Sequence, residues 1–406
     1  MRPGQLALLA FLSAVIGAAG VIAVASALDW VGADRSEGVA TPAQSLTLTD
    51  ETDAAQPRAV AEPLEGTAFE PARIYAARAD GVVTIFAFFG DSAGASGGQG
   101  SGFVVSDDGY VLTSSHVVTN AGADQPRNVQ AAEQVFVEFR DGDRVAARVV
   151  GWDLFDDIAL LRVDPERHPL APVPLGDSSK VVVGEPVAAI GSPFGAENSL
   201  ATGVVSAIRR TIPALTSEFS LVDAIQIDAP INRGNSGGPL FDARGRVIGI
   251  NAQIRSNSGL SEGVGFAVPI NAARRSMNDL IEHGTVAYAY VGVHTDDLWP
   301  ALARKLGLSV TRGALIADVV PGGPAERAGL RGGDSTLTFE GTEVRTGGDV
   351  VVGVNGARVR SGDDLVRIVT NDLRPGTEAM FTVVRGDRRL DVSVPVGERP
   401  AGPSSG

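Results

Sequence analysis

From about residue 71 to residue 270 the chain is a series of short apolar or alternating runs. They read GVVTIFAFF, GSGFVVS, GYVLTSS, VFVEF, DIALLRV, EPVAAIGS, VIGINAQI and GVGFAVP, and Gly, Asp, Asn or Pro separates them. Short runs between turn residues predict an antiparallel barrel or sandwich. At 270–283 the sequence INAARRSMNDLIEH predicts a helix, with Asn271 as its cap and Gly284 as its stop. A second compact unit follows over about 287–396. It holds YVGV, a helix-like stretch near 298–306, GALIADVVPGGPAERAGLRGGD, DVVVGVNG, a helix at SGDDLVRIV, and strands at AMFTVVRG and LDVSVPV. Within this unit GGD occurs at 332–334 and again at 347–349, which predicts an inserted hairpin over 335–348.

The N-terminus has a different pattern. From Leu6 to Leu28 no charge occurs, over about the 20 residues a helix needs to cross a bilayer. Arg2 precedes the stretch and Asp29 follows it, so the remainder is expected outside the cytoplasm. Ala25-Ser26-Ala27 also suits signal cleavage, but the apolar stretch exceeds a usual signal-peptide core, which favours a single-pass transmembrane helix in the cell membrane. Residues 31–70 are Ala, Thr, Glu, Asp and Pro with little periodicity, and are expected to form a disordered linker. The expected division is thus an anchor at 1–30, a linker at 31–70, a β-rich domain at 71–284, a smaller domain at 285–397 and a flexible tail at 398–406.

Composition narrows the chemistry. The net charge of -14 argues against a nucleic-acid partner, which would need clustered excess Lys and Arg. With 0 cysteines, disulfides, thiolate nucleophiles and cysteine-ligated metals are excluded. His168, His283 and His294 lie apart, and no metalloprotease, Walker A or dinucleotide motif occurs, so neither a metal nor any other cofactor is expected.

Three segments carry candidate chemistry. His116 stands at the end of Val111-Leu112-Thr113-Ser114-Ser115, a strand that otherwise reads as buried. Asp153, Asp156 and Asp157 precede the apolar run Ile158-Ala159-Leu160-Leu161, and any of them could face an imidazole. Ser236 stands in the glycine-rich stretch Asn232-Arg233-Gly234-Asn235-Ser236-Gly237-Gly238. A serine hydroxyl needs an imidazole to take its proton, and the imidazole needs a carboxylate to fix its tautomer. The oxyanion formed on an attacked carbonyl needs preplaced N–H donors, and the amides of Gly234 and Ser236 are the candidates. The order His, Asp, Ser matches the chymotrypsin arrangement.

Taken together, GNSGGPL at 234–240, IQIDAPINR before it, DIALLRV at 157–163, GSPFG at 191–195, TGVVSAIRR at 202–210, VIGIN at 247–251 and GVGFAVP at 263–269 resemble the HtrA (Deg) family of trypsin-like serine proteases. The resemblance implies an all-β-dominated fold, a chymotrypsin-like double antiparallel β-barrel followed by an α+β PDZ domain. It implies Ser236 as nucleophile, His116 as general base and Asp157, abutting Ile158, as orienting acid. Ser114-Ser115-His116 replaces the family's more usual Thr-Asn-His, a change expected to alter little. The neutral Asn235 cannot pair with a new N-terminus, so activation by clipping is not expected.

By the same resemblance Ile250, Asn251, Ala252 and Gln253 should pair with extended substrate, and Ile231 and Asn232 should help line the specificity pocket. No Asp stands where a trypsin-type pocket needs one, so small or medium aliphatic residues are expected at the cleavage site. Tyr290-Val291-Gly292-Val293 resembles a PDZ carboxylate-binding loop, and the helix from Ser361 should form the other wall of its groove. The implied partners are unfolded polypeptide substrates, C-terminal peptides at the PDZ domain, the membrane, and two further copies in a homotrimer.

Overall fold

The computed structural model describes residues 68–90, 96–121, 129–192, 198–232, 234–254 and 263–400. The expected anchor at 1–30, nearly all of the 31–70 linker and the tail from 401 lie outside the described residues. No helix among the described residues is long and apolar enough to cross a membrane. Phe69 and Glu70, expected in the linker, belong to the folded unit. Phe69 packs against the core, and the Glu70 carbonyl accepts from the Ile74 amide at 3.0 Å. This starts a helix absent from the sequence reading, α1 (Pro71–Arg78), whose Pro71 suits a first helical turn.

The alternating runs close into two six-stranded antiparallel barrels. The first has β1 (Val82–Phe89), β2 (Ser96–Val104), β3 (Tyr110–Thr113), α2 (Ser115–Val118), β4 (Gln134–Glu138), β5 (Arg144–Asp153) and β6 (Ile158–Val163). The second has β7 (Pro186–Gly191), β8 (Ser199–Pro213), β9 (Ser220–Ile227), β10 (Pro239–Phe241), β11 (Val247–Ile254) and β12 (Gly265–Pro269). Strand side chains alternate between two buried surfaces. Val111 and Leu161 fill the first barrel, Val187 and Ala189 the second, and Leu112, Leu160, Ile190 and Phe241 form a core shared between barrels. Each of these large buried side chains contributes roughly 2 kcal/mol. Both faces of many strands are therefore apolar, which is why the sequence runs look continuous rather than cleanly alternating.

The helix expected at 270–283 is α3 (Ile270–His283), and Gly284, at φ 75°, ends it. Asn271 is not its cap. Pro269 holds that position, and the Asn271 side-chain Nδ2 instead donates to Asp177 Oδ1 at 2.8 Å, tying the helix to the turn before β7. Ala273, Ser276 and Leu280 are the buried face of α3, and Leu280 lies where a Cβ on Gly151 of β5 would come within 2.8 Å.

The smaller domain contains β13 (Ala289–Tyr290), β14 (Val293–Leu298), α4 (Pro300–Leu306), β15 (Gly313–Val319), α5 (Pro324–Arg327), β16 (Ser335–Phe339), β17 (Thr342–Thr346), β18 (Val350–Val354), β19 (Ala357–Arg358), α6 (Gly362–Asp372), β20 (Glu378–Arg385), β21 (Arg388–Pro395) and β22 (Gly397–Glu398). Its main sheet runs β14-β15-β18-β20-β21, with β19 added beside β18. The inserted stretch forms the hairpin β16–β17. One sheet face packs under α6 through Val351, Phe381 and Val383; the other packs under α4 and the hairpin through Val350, Val352 and Val384. Ser361 caps α6 by accepting from the Asp364 amide at 3.1 Å. The expected loose tail from 398 is in part structural: Glu398 pairs with Ala289, and Arg399 is buried against Phe155, Phe219 and Tyr288.

Candidate active site

β3 and β6 pair directly with Thr113 opposite Ala159, so the chain leaving one strand meets the chain entering the other. That register brings His116 and Asp157 together: His116 Nδ1 lies 2.7 Å from Asp157 Oδ2. The His116 side chain is 22% exposed and that of Asp157 only 4%, so solvent or a substrate reaches the imidazole but not the acid. Asp157 adopts φ 53°, a left-handed turn conformation that an Asp tolerates better than most residues. Its Oδ1 accepts from the His116 amide at 3.0 Å and from the Ser115 hydroxyl at 2.8 Å. Ser115 was expected to matter little, yet it holds the carboxylate. Burial pushes the His116 pKa down, but the charge and hydrogen bond of Asp157 together outweigh it, and the net shift is upward.

Asp153 and Asp156, the other two acids of that segment, point elsewhere. The Tyr288 hydroxyl lies 2.6 Å from Asp153 Oδ2 and 2.7 Å from Asp156 Oδ2. Ser276 of α3 donates to Asp153 Oδ2 at 2.7 Å, and Arg275 to Asp156 Oδ2 at 2.9 Å. Burial and the Asp156 charge push the Asp153 pKa up to about 6. One tyrosine hydrogen cannot serve two carboxylates, so this cluster is suited to holding an additional proton. It also joins the two domains, because Arg275 donates to Asn371 Oδ1 of α6 at 3.1 Å and Asn371 donates to Asp223 Oδ2 of β9 at 2.7 Å.

Ser236 stands between β9 and β10, in a loop held against the first barrel. The Ser101 amide of β2 donates to the Ser236 carbonyl at 2.8 Å, and the Ser101 hydroxyl to the Gly234 carbonyl at 2.5 Å. Gly237 adopts φ 83°, and a Cβ there would fall 2.3 Å from both the Ser101 carbonyl and Thr113 Oγ1. Only glycine fits at that crossing. Within the loop the amides of Asn235, Gly237 and Gly238 donate to the carbonyls of Asn232, Asn251 and Asn235. The amides of Gly234 and Ser236 donate to no acceptor among the described residues. The Ser236 hydroxyl donates to the Ala252 carbonyl at 3.1 Å, and no hydrogen bond joins it to His116 among the described residues.

The expected substrate strand divides in two. Ile250 is fully buried, paired with Pro239 on one side and Val268 on the other, so it belongs to the barrel wall and not to an open edge. Asn251 is likewise internal: its amide donates to the Gly238 carbonyl at 2.9 Å and its side chain to the Pro239 carbonyl at 3.2 Å. Ala252 and Gln253 follow after β10 has ended, with β12 on one side only. Ile231 is buried against Gly265, where a Cβ would come 3.0 Å from Ile231 Cγ1, and Asn232 is part-buried beside it. In the smaller domain Tyr290, Val291, Gly292 and Val293 join β13 to β14, with Gly292 at φ 78°. β14 is an end strand of its sheet, with one edge unpaired among the described strands.

Sequence reasoning missed Ser101, Ser115 and Tyr288 as parts of the site. Ser101 carried a faint signal, a polar residue inside the glycine run GGQGSG. The partners of Ser115 and Tyr288 lie far off in sequence.

The fold and site define a double-barrel protein of the trypsin-like serine-hydrolase class, followed by a PDZ domain. Residues 100–250 match the trypsin-like peptidase domain and residues 290–396 the PDZ domain. The chain is 40% identical over 319 residues, 77% of its length, to a probable periplasmic serine endoprotease, DegP-like, of Hahella chejuensis. It is 39% identical over 301 residues to one of the same description from Halomonas elongata. It spans 61% and 56% of the length of these two relatives. A solved structure of the HtrA-type protease AlgW with a tripeptide aligns with TM-score 0.67 and 34% identity, covering 83% of this chain and 99% of that one. The serine endoprotease from Yersinia pestis aligns with TM-score 0.57 and 27% identity, covering 82% of this chain and 98% of that one. The chain belongs to the HtrA-type serine protease family.

Proposed function

We propose that the protein is an ATP-independent serine endopeptidase acting on unfolded or damaged exported polypeptides. The observation that carries this reading is the buried Asp157 carboxylate 2.7 Å from His116 Nδ1, in the barrel that also braces the Ser236 loop. In the proposed reaction Ser236 turns its hydroxyl from the Ala252 carbonyl towards His116 Nε2. As its oxygen bonds to the substrate carbonyl carbon, His116 takes the proton and the Gly234 and Ser236 amides receive the oxyanion. The C–N bond then breaks with proton return from His116 to the leaving amine, leaving an ester on Ser236. Water, deprotonated by the same imidazole, hydrolyses it. Asp157 holds the imidazole in place and stabilises the imidazolium.

Substrate backbone is assigned to the open edge at Ala252 and Gln253. Ile231 closing over Gly265 supports a shallow pocket for a small or medium aliphatic side chain. The Tyr290–Val293 loop, the free edge of β14 and α6 are assigned to a peptide C-terminus added as a strand. Family membership supports a homotrimer, and the apolar run from Leu6 to Leu28 supports a single membrane anchor with both domains outside the cytoplasm.

The test is digestion of a permanently unfolded protein without ATP or metal, with and without hydrophobic C-terminal peptides. Cleavage by the parent and none by Ser236→Ala is the expected result. Digestion by neither, with peptides bound, would instead make the protein a tethered PDZ scaffold.

A further inference from the structure

On the α4 face of the PDZ sheet, opposite α6, lies a concavity of about 460 Å³. Arg312, Arg358 and Arg389 converge on it from three separate elements. Arg312 immediately precedes β15, Arg358 is in β19 and Arg389 is in β21. All three are exposed, and none has an ion-pair partner among the described residues. Elsewhere in the domain Arg345 pairs with Asp318, Arg367 with Asp364 and Arg385 with Asp349. Asp391, two residues beyond Arg389 on the same strand, stands opposite Thr382 in the β20–β21 ladder. It accepts from the Thr382 hydroxyl at 2.7 Å and pairs with none of the three arginines.

The backbone keeps the concavity open. β15 and β19 occupy successive parts of the same edge of β18, and the register of β18 against β20 slips between Val351 and Gly353. Such a bulge re-aims the strand locally. A Cβ on Gly353 would stand 3.3 Å from the Ala357 carbonyl and 3.5 Å from Thr382 Cβ, narrowing the floor. The tight turn from β18 to β19 is Asn355-Gly356, both at positive φ, which suits a two-residue hairpin. The hydroxyl-bearing residues Ser309, Thr311 and Thr382 complete the rim.

Three arginines line one concavity, none of them in an ion pair among the described residues, and their N–H groups suit an oxyanion. A carboxylate presents its two oxygens on one edge in one plane, whereas the oxygens of a tetrahedral phosphate group point in several directions and can meet guanidinium donors arriving from different elements. The net charge of -14 means that the chain as a whole does not gather anions, so the local cluster must do so. We infer that the Arg312–Arg358–Arg389 concavity is a binding site for a phosphate group, separate from the peptide groove and from the serine site. The phosphate could belong to an anionic lipid headgroup or be free in solution.

The test is calorimetric titration of the full chain with inorganic phosphate and, separately, with dihexanoyl phosphatidylglycerol below its micelle concentration. Saturable binding of at least one probe is expected, weakened at least about tenfold in Arg312→Gln/Arg358→Gln/Arg389→Gln and by added salt. The triple variant keeps the N-terminal segment, so lipid binding by that segment cancels in the comparison. Tighter binding of the lipid identifies a headgroup site, and equal or tighter binding of inorganic phosphate a free-phosphate site. If the triple variant misfolds, each single Arg→Gln change should weaken binding at least about threefold. Saturable binding of neither probe, or binding that the folded variants retain in full, overturns the inference.

Discussion

The Ser115 hydroxyl donates to Asp157 Oδ1 at 2.8 Å, so the residue just before His116 holds the acid that holds the imidazole. Ser115 is fully buried, and water cannot replace the bond cheaply when the hydroxyl is removed. A hydrogen bond to a charged group is worth about 1.5–3 kcal/mol. Ser115→Ala should therefore lower kcat/KM by roughly tenfold, since part of that energy supports the ion pair during turnover. With one fewer donor sharing its charge, the Asp157 carboxylate acts more strongly on His116, whose pKa it already raises. The acid limb of the pH profile should therefore move to higher pH. An unchanged limb would reduce Ser115 to a packing residue.

Gly237 offers a test of the seam between barrels. Gly237→Ala would place a methyl 2.3 Å from the Ser101 carbonyl at φ 83°, and the Ser236 loop must move to admit it. Loss of nearly all activity is expected, with a fall in melting temperature. Gly142→Ala is the control. Its φ of 87° is as unfavourable, but no atom lies within 4 Å of the added carbon. That change should cost about 1 kcal/mol of stability and leave kcat/KM unaltered. Similar activity losses in both variants would contradict the seam argument.

The Asp153–Asp156–Tyr288 cluster predicts a pH effect of definite sign. With the Asp153 pKa raised from the usual 3.8 to about 6, the folded state keeps a proton that the unfolded chain releases. This contribution is fully present below pH 3.8 and is lost as pH rises towards 6. Its size is on the order of 3 kcal/mol. Asp153→Asn mimics the protonated acid at every pH, so the difference in unfolding free energy between variant and parent should shift in favour of the variant from pH 4 to pH 6. A difference independent of pH would mean that Asp153 is ionised throughout.

At the junction, Arg275→Met would leave Asp156 buried without its cation. Loss of one partner of a buried pair costs about 3–5 kcal/mol. Denaturant unfolding at neutral pH should show that loss, and it should shrink at pH 4, where Asp153, with its pKa pushed up to about 6, is neutral beside Asp156. A neutral result at both pH values would show that the pair contributes nothing to the junction.

The strands, the helix after the second barrel and the order of the three reactive residues were legible because each depends on residues adjacent in sequence. His116 ends a strand, Asp157 begins one and Ser236 lies among glycines. What escaped notice depends on register and long-range contact. Ser101 acts on a loop more than a hundred residues away, and Ser115 reaches Asp157 only because β3 pairs with β6. Family resemblance placed Ile250 on the substrate edge, since a motif does not say how far the neighbouring strand extends, and here β10 pairs with it through Pro239. Arg399 looked like part of a tail, and three distant aromatic rings make it part of the core.

The central claim is that His116 and Asp157 activate Ser236 for attack. The most direct measurement is labelling of the full chain by a fluorophosphonate, with the modified residue identified by mass spectrometry. Modification of Ser236 alone, at least about a hundredfold slower in His116→Ala, is the result expected from general-base activation. Labelling at other serines, or a rate at Ser236 that His116→Ala leaves unchanged, would contradict it.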